Sequence, residues 1–158
     1  MDSGLDFFLN RAIELSAKSL NEGQGGPFGA VVVINNKIIA EGWNEVTSTC
    51  DPTAHAEMQA IRKACNSSKA FHLVGATIYS SCEPCPMCLA AIYWAKISKV
   101  VFANTRKQAE AIGFGDAYIY EQISTPHYKR SVVCEHQPAP KASAIFDEWS
   151  LQSGKILY

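Results

Sequence analysis

The amino-acid sequence predicts an α/β fold of three layers, with helices on both faces of a mixed central sheet of about five strands. Two observations support this prediction. Segments with apolar residues at helical spacing alternate with short valine- and isoleucine-rich runs, and glycine, asparagine or proline separates them. Strands that alternate with helices are typical of layered α/β proteins. The length of 158 residues and the hydrophobic content of 47% suit one globular domain, so we expect a single domain over residues 1–158.

The sequence patterns predict the elements one after another. We expect a helix over 5–20, strands over 28–34 and 38–40, a loop over 42–53, a helix from 51 to about 65, a strand over 76–80, a helix over 84–96, a strand over 100–103, a short helix after 105, a strand over 132–134 and a helix over 142–152.

Local signals justify these boundaries. The first helix is amphipathic and ends at a run of glycines that begins with Gly23. Asn35-Asn36-Lys37 separates two apolar runs and predicts a hairpin turn. Asp51-Pro52 combines a favoured helix cap with a proline of the first turn, and we expect it to open the second helix. The glycines lie between a helix and a strand, in the opposite order to a phosphate-binding loop, so we reject that interpretation.

Composition narrows the possible partners. The formal net charge is −1, with 14 basic and 15 acidic residues, and the C-terminal part has no basic stripe. Binding to nucleic acid depends on phosphate contacts, so this balance favours a small-molecule substrate. Neither a signal peptide nor an apolar run long enough to span a membrane is visible, and we expect a cytoplasmic protein without membrane contact.

The most informative residues form two short motifs, His55-Ala56-Glu57 and Pro84-Cys85-Pro86-Met87-Cys88. One imidazole and two thiols make a ligand set for one Zn²⁺ per chain. Structural zinc usually has four protein ligands, whereas catalytic zinc has three and leaves a position for water. Both motifs fall at predicted helix N-termini, where the positive end of the helix favours the thiolate.

Glu57 gives this set its chemistry. A carboxylate beside an activated water can take a proton from the water and deliver it to a substrate, which is general acid–base catalysis. The fitting reaction is hydrolytic removal of an amino group from a nitrogen heterocycle. The combination of His-x-Glu with Pro-Cys-x-x-Cys is the signature of zinc-dependent nucleobase deaminases.

Two other interpretations of the cysteines stay open at this point. The spacing Cys82, Cys85, Cys88 is similar to the start of an iron–sulfur run, but the next cysteine is missing at Ala91 and Ile92. Cys82 could also be the fourth ligand of a structural zinc site, which would leave Glu57 without a role.

The sequence resembles the cytidine-deaminase-like superfamily, and within it the bacterial guanine deaminases. The segments that carry the resemblance include Gly26–Ala30, Asp51–Glu57, Ser81–Cys88, Ala91–Ala95 and Gly113–Asp116, together with the terminal Tyr158. It implies a cytidine-deaminase-like fold, with His55, Cys85 and Cys88 as zinc ligands and Glu57 as the proton shuttle. The reaction it implies is hydrolysis of guanine to xanthine and ammonia, with attack at C2.

The same resemblance implies a set of substrate contacts. Phe28 would lie against the purine ring, Asn44 would hydrogen-bond its polar edge, and Asp116 would recognise its N–H groups. Ala54 and Trp94 would border the pocket. It also implies a homodimer in which the C-terminal segment is exchanged, so that Tyr158 reaches the neighbouring active site.

Other functions remain possible at this stage. Gly115 and Trp43 depart from the family pattern near the edge that would recognise the base, so ammeline, cytosine or a free nucleoside could be the substrate. A deaminase of adenosine in tRNA is a further alternative, although the basic tail it needs is missing. The alternative that is not an enzyme is an interaction module with structural zinc.

Overall fold

The computed structural model describes residues 7–158, so the predicted start of the first helix at residue 5 lies outside the described residues. The chain divides into two compact units, one that ends at Asp116 and one that spans Ala117–Tyr158. The first unit contains five helices and four strands in its described residues: α1 Phe7–Asn21, β1 Gly29–Ile34, β2 Lys37–Trp43, α2 Val46–Thr49, α3 Ala56–Ser68, β3 Thr77–Cys82, α4 Pro86–Trp94, β4 Lys99–Asn104 and α5 Arg106–Ala111.

The strands form one mixed sheet in the order β2-β1-β3-β4. β1 pairs antiparallel with both β2 and β3, whereas β3 and β4 are parallel. Asn35 and Asn36 have φ values of 49° and 60°, the left-handed conformation that a two-residue hairpin turn requires. The mixed sheet is as predicted, but it has four strands in the part of the chain that the structure describes.

Side chains alternate across β1 and separate the core into two halves. Ala30 and Val32 pack with α3 and α4 on one face. Val31 and Val33 pack with Ala12 and Leu15 of α1 on the other. Helices therefore cover both faces of the sheet, and the predicted three-layer α/β/α architecture is confirmed.

Two glycines allow helices to approach the sheet closely. A Cβ added at Gly29 would lie 2.2 Å from the carbonyl oxygen of Ala12, on α1. A Cβ added at Gly42 would lie 2.2 Å from the carbonyl oxygen of Ala56, on α3. Real atoms do not approach so closely, so both contacts need glycine. The second contact sets the depth at which the first turn of α3 lies on β2.

The prediction that Asp51 caps the second helix is wrong. Asp51 Oδ1 accepts hydrogen bonds from the backbone N–H of Thr53 at 2.8 Å and from its hydroxyl at 2.7 Å. This local turn competes with a helix start, and α3 begins at Ala56 with His55 as its N-cap. The predicted loop before it contains the short α2.

The second unit contains two helices and a short 3₁₀ turn: α6 Ala117–Ser124, the 3₁₀ turn His127–Lys129 and α7 Pro140–Leu151. The predicted strand over 132–134 is wrong, because these residues form bends and irregular backbone. No residue of 117–158 is buried. Among the helices of residues 7–158, none combines the length and the hydropathy that crossing a membrane requires.

Candidate metal centre and active site

The two sequence motifs meet where α3 and α4 begin. His55 is the N-cap of α3 and Cys85 is the N-cap of α4, both with extended backbone. Neither side chain caps its own helix. Because neither side chain is engaged in capping, both are available to a common site.

The distances fit a tetrahedral zinc ion. Sγ of Cys85 lies 3.5 Å from Nδ1 of His55, and Sγ of Cys88 lies 3.6 Å from the same atom. Zinc–sulfur bonds of about 2.3 Å and zinc–nitrogen bonds of about 2.0 Å at a tetrahedral angle place sulfur and nitrogen about 3.5 Å apart. In the described part of the chain, these three residues form the group that could hold a metal ion. They are the residues that the sequence predicted as ligands.

Cys82 is not part of this group. Its sulfur lies 3.8 Å from the carbonyl oxygen of Thr105, to which its thiol donates. Burial raises the pKa of Cys82 to about 11, so the residue remains a thiol at neutral pH. The interpretations that needed Cys82 as a fourth ligand, or as a member of an iron–sulfur run, find no support in this arrangement.

The two cysteines of the ligand set differ in their proton affinity. A hydrogen bond from the Cys88 thiol lowers the pKa of Cys85 to about 4, and the His55 ring acts in the same direction. Donation of that proton to Cys85 raises the pKa of Cys88, and burial adds to the shift. This arrangement favours the thiolate form of Cys85, which is the form that binds metal.

Glu57 lies beside the ligand set in a buried position. It is 6% exposed. The hydroxyl of Ser80, on β3, donates to Oε1 at 2.8 Å. Oε2 lies 3.4 Å from Sγ of Cys88. Burial raises the pKa of Glu57 above its ordinary range, so the carboxyl can both release and hold a proton nearer neutral pH.

A cavity of about 760 Å³ opens next to these groups. This is the size of a small-molecule site, and its walls combine apolar and charged side chains. The residues that line it include Leu20, Pro27, Phe28, Asn44, Thr47, His55, Glu57, Cys82, Glu83, Cys85, Arg106, Phe114 and Asp116. Phe28, Asn44 and Asp116, which were predicted as substrate contacts, are thus brought to the same cavity as the metal ligands.

An aromatic pair forms one wall of the cavity. The rings of Phe28 and Phe114 meet edge to face with their centroids 5.0 Å apart. A Cβ at Gly26 would lie 2.8 Å from the ring of Phe28 and 3.0 Å from that of Phe114, so the glycine leaves room for both. The pair gives the cavity an apolar aromatic wall against which a heterocyclic base can pack.

Besides Glu57, three charged side chains border the cavity: Glu83, Arg106 and Asp116. Glu83 accepts a hydrogen bond from the backbone N–H of Arg106 at 3.0 Å. Burial raises the pKa of Asp116, and the positive charge of Arg106 opposes this shift. Sequence reasoning did not single out Glu83, Arg106, Phe114 or Ser80. Only Phe114 gave a signal, its position beside Asp116 in a glycine-flanked segment.

Two predicted pocket residues lie elsewhere in the first unit. Trp94 ends α4, is 64% exposed and is not a lining residue of the cavity. The cavity lies at the other end of that helix, about 12 Å away at 1.5 Å per residue. Ala54 is buried and does not line the cavity either. Its carbonyl oxygen accepts from the N–H of Glu45, so its visible role is structural. Tyr158 belongs to the second unit and is 75% exposed.

Comparison with known proteins relates this site to a family. The model of the cytidine and deoxycytidylate deaminase zinc-binding region matches residues 3–104. A guanine deaminase of Bacillus subtilis (strain 168) is 51% identical over 96% of this chain and 97% of its own length. A tRNA-specific adenosine deaminase of Aquifex aeolicus (strain VF5) is 32% identical, over 92% of this chain and 93% of its own. The X-ray structure of the Bacillus subtilis guanine deaminase superimposes with a TM-score of 0.93 at 44% identity, over 98% of this chain and 99% of that one.

Proposed function

The chain belongs to the cytidine and deoxycytidylate deaminase zinc-binding family, and we propose that it is a zinc-dependent guanine deaminase, which hydrolyses guanine to xanthine and ammonia. The observation that carries the proposal is the conjunction of a three-ligand set with a buried carboxylate. His55, Cys85 and Cys88 have the donor distances of a tetrahedral zinc site. Glu57 lies at its edge, 3.4 Å from one of the sulfurs.

Zinc bound by these three residues would activate a water molecule at neutral pH by lowering its pKa. The chain's own contribution begins with Glu57, whose Oε1 is fixed by Ser80. Oε2, on the side of Cys88, is then the oxygen that exchanges protons. Because burial raises its pKa, the carboxyl can keep the proton it has accepted until the substrate takes it.

Glu57 balances the protons of the reaction. It accepts one from the attacking water as the water oxygen bonds to C2 of guanine, and it delivers that proton to N3. Glu57 then takes the proton of the hydroxyl now on C2 and delivers it to the amino group, as the bond between C2 and that nitrogen breaks and the C2 carbonyl forms. Xanthine and ammonia are the products, and Glu57 returns to its carboxylate form.

The remaining cavity residues would bind the base. The edge-to-face pair of Phe28 and Phe114 supplies an apolar wall for the purine ring. Asn44 and Asp116 supply polar contacts to its edge. A purine base fills only part of a cavity of about 760 Å³, so room remains for a further side chain to close it.

A screen for ammonia release tests the proposal. Guanine, guanosine, adenosine, cytosine and ammeline are incubated with the zinc-loaded protein. We expect release from guanine, with identification of xanthine by its absorbance spectrum. Release from another compound alone would replace the substrate, and release from none would favour the structural-zinc interaction module.

A tRNA adenosine deaminase is the weaker alternative. The Aquifex aeolicus relative of that name is less similar to this chain than the guanine deaminase is. A net charge of −1 also gives little attraction to a polynucleotide. A stem–loop carrying the target adenosine can be added to the screen, and inosine formation would support this alternative.

The proposal extends to the assembly. A single deaminase domain would span residues 1–158 and form a homodimer in which residues 117–158 are exchanged, bringing Tyr158 to the neighbouring site. Two observations support it: no residue of 117–158 is buried, and Tyr93 and Trp94 at the end of α4 are exposed. An exposed apolar surface of this kind is typical of an interface. Sedimentation velocity should give the mass of two chains; a monomer would contradict the exchange.

We also assign the protein to the cytoplasm and to purine metabolism. The six cysteines are free, which is typical of a reducing compartment. Fractionation of the producing cells with an antibody to the chain tests the location. Recovery in an extracellular fraction would contradict it.

A further inference from the structure

The side chain of Asn44 has a fixed orientation at the cavity. It is 4% exposed, and its Oδ1 accepts hydrogen bonds from the backbone N–H groups of Gly26 and Val46, both at 3.2 Å. Two N–H donors can face only an acceptor, so the amide oxygen must lie on their side. The amide nitrogen, Nδ2, therefore lies on the opposite side.

Asn44 consequently offers the cavity a donor and no acceptor. Within residues 7–158, no hydrogen bond from Nδ2 to the protein is formed, although the residue borders the cavity. A substrate atom that meets this group must accept a hydrogen bond. An amino group in the same place would set donor against donor, and a site built for one hydrogen-bonding pattern rejects the other strongly.

The hydroxyl of Ser19 contacts the backbone of both Asn44 and Gly26. It lies on α1 and is 0% exposed. Its Oγ is 2.8 Å from the carbonyl oxygen of Asn44 and 2.9 Å from that of Gly26, so one buried hydroxyl joins both segments to the helix. Asn44 carries the amide, and the backbone N–H of Gly26 is one of the two donors to its Oδ1.

Gly25 shows how little space the arrangement leaves. A Cβ added there would lie 2.0 Å from Oδ1 of Asn44 and 2.8 Å from its carbonyl oxygen. Any side chain at this position would displace the amide. The φ of Gly25 is not in the left-handed region, so the requirement for glycine comes from space alone.

We propose that Ser19 is a positioning residue that, through Asn44, makes the pocket select a purine with a carbonyl oxygen at C6 over one with an amino group there. This inference rests on the proposed function, because it concerns which base the deaminase accepts. Guanine has a carbonyl acceptor at C6, whereas 2,6-diaminopurine has an amino group there, and both have the amino group at C2. Ser19 touches neither base and acts by fixing the two backbone segments.

The test is Ser19→Ala, measured with guanine and with 2,6-diaminopurine. We expect KM for guanine to rise about fivefold, the effect of losing about one net hydrogen bond. The ratio of kcat/KM for guanine to that for 2,6-diaminopurine should fall by a similar factor, with kcat for guanine and zinc content unchanged. Ser16→Ala is the matched control, because Ser16 lies on the same helix and its hydroxyl bonds only to the carbonyl of Ile13.

Gly25→Ala provides a second test if Ser19→Ala folds poorly. It leaves Ser19 in place, displaces the amide directly and should lower the same ratio. An unchanged ratio in a folded Ser19→Ala protein would overturn the positioning role of Ser19. An unchanged ratio in Gly25→Ala would overturn selection by the amide of Asn44, and with it the inference. Either result would leave the proposed function intact. Absence of ammonia release from guanine by the unaltered protein would overturn the proposed function, and this inference with it.

Discussion

The two units of this chain use their apolar residues in opposite ways. In residues 7–116, Val31, Val32 and Ile78 are 0% exposed and form the two halves of the core. In residues 117–158, Phe146 is 78% exposed and Leu151 is 85% exposed. A segment that orders its backbone without burying side chains gains little to offset the entropy it loses. The large apolar side chains of the second unit are therefore exposed, where those of the first unit form a core.

The difference also separates the candidate site from the segment proposed to form the assembly. The metal-ligand set, the buried carboxylate and the lining residues of the cavity all lie in the first unit. We therefore expect changes in the first unit to affect metal binding or the chemical step. Changes in the second unit should affect assembly and closure of the site. Four predictions test this division, in order of decreasing effect.

Cys85→Ala should remove the metal and all detectable activity, because a site with two remaining protein ligands holds zinc weakly. Zinc per chain by mass spectrometry and ammonia release measure the two effects. Cys50→Ala is the control, since Cys50 is exposed and outside the ligand group. Unchanged zinc content in Cys85→Ala would locate the metal elsewhere.

Glu57→Gln should retain one zinc per chain and lose at least about 10²-fold in kcat, the lower range for a positioned acid–base group. The change keeps the shape of the side chain and removes its capacity to accept a proton. Glu45→Gln is a matched control, because Glu45 hydrogen-bonds Gln59 near the same helix. A Glu57→Gln protein with full activity would contradict the proton relay.

Deletion of Tyr158 should lower kcat/KM about tenfold without a change in zinc content or in thermal stability. Lys155→Ala is the control for a change in the same tail. Mixing the deletion protein with Glu57→Gln distinguishes exchange from a role within one chain. If the tail reaches the neighbouring site, random reassociation should restore about a quarter of the wild-type activity. No restoration would contradict the exchanged tail.

The smallest effect concerns stability on the outside of the first unit. Arg11 on α1 holds both oxygens of Glu41 on β2 at 2.7 and 2.8 Å. Hydrogen bonding to Arg11 lowers the pKa of Glu41. The pair therefore stabilises the fold above the ordinary pKa of a glutamate, and this contribution is lost as the pH falls through the lowered pKa.

Glu41→Gln should cost about 0.5–1 kcal/mol of unfolding free energy at pH 7, as expected for a partly exposed pair. The difference should shrink towards zero at acidic pH. Urea denaturation at several pH values measures it, and Glu14→Gln is the control, because Glu14 forms the more exposed ion pair with the same arginine. A cost that is independent of pH would contradict an electrostatic origin.

Sequence reasoning predicted the architecture because periodicity is a local property. It located the sheet strands of the first unit and the two helices that carry the metal motifs. It did not predict the first residue of either helix. The start of α3 was placed at Asp51 because a cap and a proline coincide there. The structure shows that the aspartate closes a turn on Thr53 instead. Competition between two hydrogen-bonding patterns of one side chain is decided by the surrounding fold.

The residues of the candidate site could be predicted only where they leave a local pattern in the sequence. The ligand set was predictable because a metal dictates residue types and spacing. Ser80 and Ser19 were not, since a serine that hydrogen-bonds a residue 23 or 25 positions away leaves no pattern in the sequence. The sequence shows which helix Trp94 is on, but not which end of that helix faces the cavity, so its contact with the substrate stays a prediction.

Gly29 and Gly42 have a consequence for how this sequence can change over time. Each allows a helix backbone to touch the sheet on its own face, at a distance that leaves no room for a methyl group. The two positions lie on paired strands. Because neither has room for a side chain, neither can accept the substitutions that surface residues tolerate. Among descendants of this chain that keep the fold, we expect the loops and the C-terminal unit to diverge while these two codons continue to specify glycine.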